Sequence, residues 1–285
     1  MRLFKKPSLQ PALTQRVDLH PDWLIPEWPA PARVRAVFTS RQGGCSSAPW
    51  DSLNLGDHVG DAAAQVAANR LTLEQALGAR PVFLQQVHGT QVLAVDGVTP
   101  HGQSADAAIT RQSGVACTVM VADCLPVLLS TTDGAVVAAA HAGWRGLAGG
   151  PGKGLLEKTY ERFIDFALYS REECAINTIA WLGPCIGPTA FEVGPEVRAA
   201  FVATDPRADL CFAPHGPGKF LADLPGLARL RLHALGITQI YGNDSSGAWC
   251  TVRNASKFFS HRRDAGVTGN GLNTTGRMAA CIWIA

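Results

Sequence analysis

The chain has 285 residues, a length that suits one large domain or two ordinary ones. Hydrophobic residues make up 47% and charged residues 17%, which provides for a core and excludes a largely disordered chain. The net charge of +2 excludes a protein that binds nucleic acid or a membrane surface through bulk positive charge. No apolar run reaches the roughly 18 residues of a membrane span. The opening MRLFKKPSLQ has no apolar stretch behind its charges, so we expect a cytoplasmic protein.

The first 33 residues differ in composition from the rest of the chain. They contain six prolines and two tryptophans, Trp23 and Trp28, which predicts an irregular arm anchored on a domain surface by its indole rings. From residue 34 onward no linker or internal repeat interrupts the sequence. We therefore predict a Pro-rich arm over residues 1–33 and one domain over residues 34–285.

Within that domain, short apolar runs rich in β-branched residues predict strands. The predicted strands are 34–40, 81–88, 91–97, 105–110, 115–122, 125–130, 135–141, 176–183, 238–242 and 277–284. Helical periodicity predicts helices at 61–78, with Asp61 as its N-cap and Gly78 at its end, 154–168, about 194–203, and 221–235. The central strands follow one another without a helix between them. This order predicts an α+β fold, a layered single domain with mixed β-sheets and flanking helices.

Eight cysteines are scattered through the chain without a C-x-x-C pair. Disulfide scaffolds are small, secreted and dense in cysteine, and this chain has none of these features. We expect most of the thiols to be reduced and packed as small apolar groups.

Three residues suited to metal binding stand at the ends of three predicted strands: His88 in FLQQVHG, Cys124 in VMVADCLP and His141 in VVAAAHAGWRG. Each follows an apolar run, so a rigid strand delivers each side chain to its end. Two imidazoles and a thiolate suit zinc or copper, and three protein ligands leave an open position, as in catalytic zinc sites.

Four further residues are candidates for a site around that metal. Arg41, in SRQGG, suits a phosphate that it would bind bidentately, and Asn54, in SLNLG, suits a sugar or a base. Arg145, four residues after His141, is a candidate for anion binding or for the site wall. Asp123 has two open interpretations, an acceptor that holds a metal-bound histidine or an acid/base group.

From about Val37 onward, the sequence resembles the YfiH-like laccase-domain family, whose members are labelled multicopper polyphenol oxidases or purine nucleoside phosphorylases. The resemblance rests on FTSRQGGCSSAPWDSLNLG (38–56), QQVHG (85–89), ADAAIT (105–110), VADCLPVLL (121–129), AAHAGWRGL (139–147), GPCIGPTAFEVGPEV (183–197), FFSHRRD (258–264) and TGRMA (275–279). It implies a layered α/β catalytic domain and a single zinc bound by His88, Cys124 and His141.

The resemblance implies zinc-dependent phosphorolysis of purine nucleosides (adenosine, inosine and methylthioadenosine) together with adenosine deamination. The implied partners are nucleosides and phosphate, with neither nucleic acid nor membrane. Arg41 is the predicted phosphate ligand. Asp123 and Glu192 are the two candidates for moving a proton.

Two alternatives remain open on the residues alone. The first is a copper-dependent polyphenol oxidase, with Met120 as a weak axial ligand. A trinuclear copper cluster is excluded, since the eight histidines include no H-x-H pair. The second alternative makes Cys124 the nucleophile of an amidase that edits peptidoglycan precursors, with His88 or His141 as base, because Cys–His catalysis needs the same residue types as a zinc site.

Overall fold

The computed structural model describes residues 19–150, 153–265 and 274–285. The strands in these ranges are β1 (Val34–Phe38), β2 (Arg80–Gln85), β3 (Val92–Ala94), β4 (Gln103–Ser104), β5 (Ala107–Thr110), β6 (Val115–Val121), β7 (Leu125–Thr131), β8 (Val137–Ala142), β9 (Thr178–Leu182), β10 (Glu192–Val193), β11 (Phe212–Pro214), β12 (Phe220–Ala222), β13 (Gln239–Gly242) and β14 (Met278–Ile284). The α-helices are α1 (Ala63–Leu77), α2 (Trp144–Ala148), α3 (Leu155–Ala167), α4 (Arg171–Ile176), α5 (Pro195–Val202), α6 (Leu224–Ala234) and α7 (His261–Asp264).

Two mixed sheets form the centre of the molecule. One has the strand order β1-β14-β6-β2-β4 and the other β13-β9-β7-β8-β5-β3, while β10, β12 and β11 form a small third sheet. Each large sheet contains both parallel and antiparallel pairs: β2 is parallel to β6, whereas β14 is antiparallel to β6. The α+β prediction of a single domain with mixed sheets is confirmed.

The two large sheets pack face to face, with helices covering their outer faces. Successive side chains of a strand point to opposite faces, and β6 shows this clearly. Cys117 and Val119 join the core between the sheets, whereas Ala116 and Met120 join the core on the side of α1. On the outer face of the second sheet, buried side chains of α3 and α6 form a further core with β7 and β8. Because both faces of each sheet are covered, β6, β7 and β8 are buried along their whole length.

All the predicted strands and the four predicted helices are present, with ends shifted by a few residues. α1 ends at Gly78, as predicted, and this glycine has the left-handed conformation. The N-cap prediction is wrong: Ala62 occupies that position, because the Asp61 carboxylate accepts hydrogen bonds from Ser46 and Asn54. The short helices α2, α4 and α7 and the strands β4, β10, β11 and β12 were not predicted.

The described part of the arm, residues 19–33, lies against the domain. Backbone hydrogen bonds of 2.8 Å run both ways between Leu24 and Phe38, and Trp23 is buried beside the α1 core. Residues 1–18 lie outside the described ranges, and the boundary at residue 33 stays a prediction. All eight cysteines are free thiols. None of the helices in the described ranges is long and apolar enough to cross a membrane.

Candidate metal centre

The topology brings His88, Cys124 and His141 to one end of the two packed sheets. β2 and β6 are parallel neighbours, so their carboxyl ends lie at the same end of the first sheet. From each of these ends the chain crosses to the second sheet. His88 lies in the first of these crossings and Cys124 in the second. His141, near the end of β8, pairs with Pro126 of β7, two residues after Cys124. The structure therefore brings together the three side chains that the sequence places at the ends of predicted strands.

The ligand atoms of the three residues lie within 4.8 Å of one another. The Cys124 Sγ to His88 Nε2 distance is 3.8 Å, and the two imidazole centroids are 4.8 Å apart. Ligand atoms about 2.0–2.3 Å from a tetrahedral zinc ion lie roughly 3.3–3.8 Å apart. The donor set and its spacing therefore fit a zinc-sized ion, and a small adjustment of the side chains would close the cluster around it.

Asp106 organises both histidines, a role that the sequence did not reveal. Its buried carboxylate is 2.9 Å from His141 Nδ1, which leaves Nε2 of that ring for a ligand. The same carboxylate accepts hydrogen bonds from the backbone amides of Val87, His88 and Gly89, at 3.2, 2.9 and 2.7 Å. One side chain thus fixes the orientation of one imidazole and the loop that carries the other.

The electrostatics of the cluster favour a thiolate. Burial alone would raise the pKa of Cys124, but the charge of His141 and hydrogen bonds with both histidines lower it to about 6. Burial alone would lower the pKa of His141, but Cys124 and Asp106 raise it to about 9. Since thiolate is the form that binds metals and attacks carbon, Cys124 is ready for either role near neutral pH.

One ligand residue and one neighbour of a ligand residue have positive φ angles that non-glycine residues rarely adopt: His88 with φ 58° and Asp123, which precedes Cys124, with φ 93°. Hydrogen bonds hold the Asp123 turn: its Oδ1 accepts from Thr251 Oγ1 at 2.6 Å and its Oδ2 from the Arg262 amide at 2.6 Å. The expected carboxylate acceptor of a ligand histidine is therefore Asp106, while the Asp123 carboxylate holds the turn that presents Cys124.

A close approach of backbone completes the cluster. Gly143, between His141 and α2, lies so near the site that a Cβ atom there would be 3.0 Å from Cys124 Sγ and 3.0 Å from His88 Cδ2. Only glycine leaves this space to the ligands without displacing them. The motif HAGWRG thus supplies the candidate ligand His141 and, at Gly143, the space that the side chains of Cys124 and His88 occupy.

The cluster opens into a cavity of about 450 Å³. Its charged and titratable lining comprises His58, Asp123, Arg145, His261, Arg262 and Arg277 besides the cluster itself. Its apolar lining includes Met120, Trp144, Ile186, Phe191 and Leu224. Volume and lining are typical of a small-molecule site, in which apolar walls surround a few polar groups.

The other residues predicted for the site are placed unevenly. Arg145 and Asp123 line the cavity, whereas Arg41 and Asn54 are absent from its lining. Arg41 donates to the Asp51 carboxylate and to the backbone oxygens of Asp51 and Ala255. Asn54 is fully buried and makes its hydrogen bonds within the protein. Glu192, also absent from the lining, lies 3.6 Å from His215.

Arg262 and Arg277 line the cavity although sequence reasoning named neither residue. The signal was present in FFSHRRD and TGRMA, two segments that carried the family resemblance without an assigned role.

Comparison with known proteins decides the family. Residues 35–285 match the family described as multi-copper polyphenol oxidoreductase laccase. This chain belongs to that laccase-like family. The matched region contains His88, Cys124, His141 and every other residue that lines the cavity. The resemblance seen in the sequence motifs is confirmed.

Relatives in this laccase-like family carry a different enzyme name. The chain is 47% identical over 263 residues to "Purine nucleoside phosphorylase PA4543" of Pseudomonas aeruginosa, covering 92% of this chain and 98% of the relative. Identity and coverage are the same for "Purine nucleoside phosphorylase YfiH" of Escherichia coli K12. Among solved structures, Neisseria meningitidis protein NMB0706 is 42% identical with a TM-score of 0.81, covering 92% of this chain and 99% of that one. YlmD of Geobacillus stearothermophilus is 31% identical with a TM-score of 0.76, covering 89% and 92%.

Proposed function

We propose that the protein is a zinc-dependent purine nucleoside phosphorylase, acting on adenosine, inosine and methylthioadenosine, with adenosine deaminase activity. The names of the relatives support the reaction class. The observation that carries the proposal is the position of the His88–Cys124–His141 cluster in the wall of a nucleoside-sized cavity that also contains three arginines.

Each part of this cavity has a proposed task. A zinc ion held by the cluster would supply Lewis acidity to a substrate atom beside it. Trp144 and Phe191 offer aromatic surface to a purine ring. The cavity arginines offer positive charge to an anionic co-substrate. Asp123 lines the cavity and, besides holding the turn before Cys124, is the group proposed to exchange a proton with the substrate.

One observation favours a second candidate, a metal-free Cys124 amidase acting on peptidoglycan precursors. The thiol has a lowered pKa and lies 3.8 Å from an imidazole nitrogen, the pairing that activates a cysteine nucleophile. The family description keeps a copper-dependent polyphenol oxidase as a further outcome of the test.

The test combines metal content with product analysis. Protein purified without added metal is analysed for zinc and copper, then incubated with adenosine in phosphate buffer and in phosphate-free buffer. We expect zinc, and adenine with ribose 1-phosphate that depend on phosphate; inosine formed without phosphate reports the deaminase. Near-stoichiometric copper with phenol oxidation would support the oxidase instead. Metal-free protein that cleaves an amide and is blocked by a thiol-alkylating agent would support the amidase.

A further inference from the structure

Arg277 is a cation of the cavity wall without an ionic partner. Its Nη1 donates to the backbone oxygens of Thr275 at 2.9 Å and Gly276 at 3.3 Å. Within the described ranges, no carboxylate forms an ion pair with this guanidinium, although Arg41, Arg70 and Arg263 each have one. Burial lowers the pKa of Arg277, and the nearby negative charges of Cys124 and Asp123 offset this effect only in part, as expected of a cation removed from water. An anion bound in the cavity would compensate that loss of solvation.

Hydrogen bonds from the segment around Asn54 hold the backbone of Arg277 in place. The Oδ1 atom of buried Asn54 accepts from the Arg277 amide and from the Gly56 amide, both at 2.9 Å. Leu55 donates its amide to the Arg277 carbonyl at 3.0 Å. The segments SLNLG and TGRMA, 223 positions apart from Asn54 to Arg277, therefore meet to anchor one backbone.

Gly56 also makes room for the side chain. A Cβ atom at this position would lie 2.7 Å from Arg277 Cγ and 3.2 Å from Arg277 Cβ. The arginine stem therefore packs directly on the Gly56 backbone, and any side chain at position 56 would displace it. A residue held in this way loses little freedom when it binds a ligand.

His58 faces the same part of the cavity. It lines the cavity with Arg277, and the nearby charge of Arg277 contributes to lowering its pKa, after the larger effect of burial. Its Nδ1 is 3.4 Å from Asp57, so Nε2 is the nitrogen left to face a ligand. A guanidinium fork with an imidazole beside it offers several hydrogen-bond donors to a tetrahedral oxyanion.

The remaining cavity arginines are less suited to this task. Both Nη atoms of Arg262 donate to backbone oxygens, those of Ala190 and Glu192, whereas Arg277 uses its Nη1 alone in this way. Arg145 is exposed and stacks on the ring of Trp144, 4.6 Å from its centroid. Arg41 lies outside the cavity lining and is already paired with Asp51.

We propose that Arg277, anchored by Asn54 and Gly56 and flanked by His58, is the subsite for inorganic phosphate. This inference rests on the proposed phosphorylase function and assigns its anionic substrate to named residues. It replaces Arg41 as the phosphate ligand and gives Asn54 a positioning role, through Arg277, instead of a contact with sugar or base.

Binding of inorganic phosphate to the metal-loaded protein, measured by titration calorimetry without nucleoside, tests the subsite directly. Arg277→Gln should weaken phosphate binding at least about tenfold, the loss typical of hydrogen bonds to a charged group. Arg277→Lys, which keeps the charge but lacks the planar fork, should weaken it less and guards against misfolding of the first variant. Arg207→Gln, which removes a surface arginine paired with Asp205, is the matched control and should bind like the wild type.

Kinetics then separate this subsite from the function on which it rests. With adenosine as substrate, Arg277→Lys should raise the KM for phosphate and leave the KM for adenosine unchanged, and Arg41→Lys should change neither. Unchanged phosphate affinity in both Arg277 variants would overturn the subsite even if the wild type cleaves nucleosides. Conversely, Arg277-dependent phosphate binding without any nucleoside cleavage would support the subsite and refute the phosphorylase.

Discussion

Asp106 is the residue on which both ligand histidines depend. It accepts from three consecutive backbone amides of the His88 loop and from the ring of His141. A carboxylate accepts all of these hydrogen bonds, whereas a carboxamide would turn a donor toward either the amides or the ring.

Asp106→Asn should therefore lower metal affinity by about 10- to 100-fold, the usual effect of removing the partner of a ligand histidine. Competition with a chelator, followed by metal analysis, measures this change. Asp133→Asn is the matched control, because Asp133 also accepts a backbone amide and a hydroxyl, from Ala135 and Tyr169, outside the cavity. Equal metal affinity in the two variants would show that Asp106 does not support the site.

Cys124 is the softest donor of the cluster, so its removal should cost the most metal. We expect about one zinc per chain in the wild type and its loss in Cys124→Ala, measured by elemental analysis of purified protein. Cys211→Ala removes another partly exposed thiol outside the cavity lining and should retain the metal. Full retention in Cys124→Ala would mean that the thiolate is not a ligand.

The sequence predicted the three residues of the His88–Cys124–His141 cluster but not the groups that support them. His88, Cys124 and His141 each end an apolar run, and that local pattern is visible in one dimension. Asp106 and Asp123 are both acidic residues beside buried strands, and nothing local shows which of them faces a histidine. That choice depends on β5 pairing with β8, which brings Asp106 to His141 across 35 positions of sequence.

At the scale of elements, the sequence of the short helix α2 reflects the lack of space beside Cys124 and His88 more than helix propensity. It begins at Trp144, directly after Gly143, and contains a further glycine at position 146. Glycine is unfavourable in a helix, which explains why periodicity predicted no helix here. The strands β10, β11 and β12 were not predicted for another reason. Each has only two or three residues, too few for a pattern in the sequence, and is stabilised by pairing within the small sheet.

Gly143→Ala should weaken metal binding while the fold persists. The added methyl group would press on Cys124 Sγ and His88 Cδ2, both 3.0 Å away, and so push two ligands apart. Gly150→Ala is the control on the other side of α2, where a Cβ atom meets nothing within 4 Å. Metal content and circular dichroism of both variants measure the effect, and normal zinc content in Gly143→Ala would contradict it.

At the scale of the whole molecule, Asp264 connects α7 to the segment that leads into β14. Its carboxylate accepts from Arg263 Nε, from the Ser260 amide and from Thr275 Oγ1. Burial alone would raise the pKa of Asp264, but these hydrogen bonds and the charge of Arg263 lower it. A carboxylate with a lowered pKa stabilises the fold above its ordinary pKa of 3.8, and that contribution disappears as the pH falls through the folded value.

Asp264→Asn should therefore lower the Tm at pH 6 and lower it much less at pH 3, where the wild-type carboxyl is also becoming neutral. Thermal unfolding of both proteins across this range measures the difference. A Tm difference that stays constant down to pH 3 would show that the charge of Asp264 contributes nothing to stability.

The layered α+β architecture could be predicted because buried strands longer than three residues leave apolar runs in the sequence. The order of strands within each sheet could not be predicted. β1 pairs with β14 in the register Val34↔Ile284, and no local signal relates two segments so far apart. For the same reason Arg277, which directly precedes β14, could not be placed near Asn54 before the sheet was known.

The pairing of β1 with β14 has a consequence for synthesis on the ribosome. Among the described strands β1 has β14 as its sole partner, and β14 also lies between β1 and β6. While a nascent chain grows, the edges of β1 and β6 that pair with β14 stay unpaired until residues 278–284 emerge. A chain ending at residue 277 should therefore be cleaved rapidly by proteases, whereas one ending at residue 284 should resist them. Equal resistance of the two chains would refute the requirement for β14. His88 and Cys124 thus leave the ribosome well before the sheet that positions them can close.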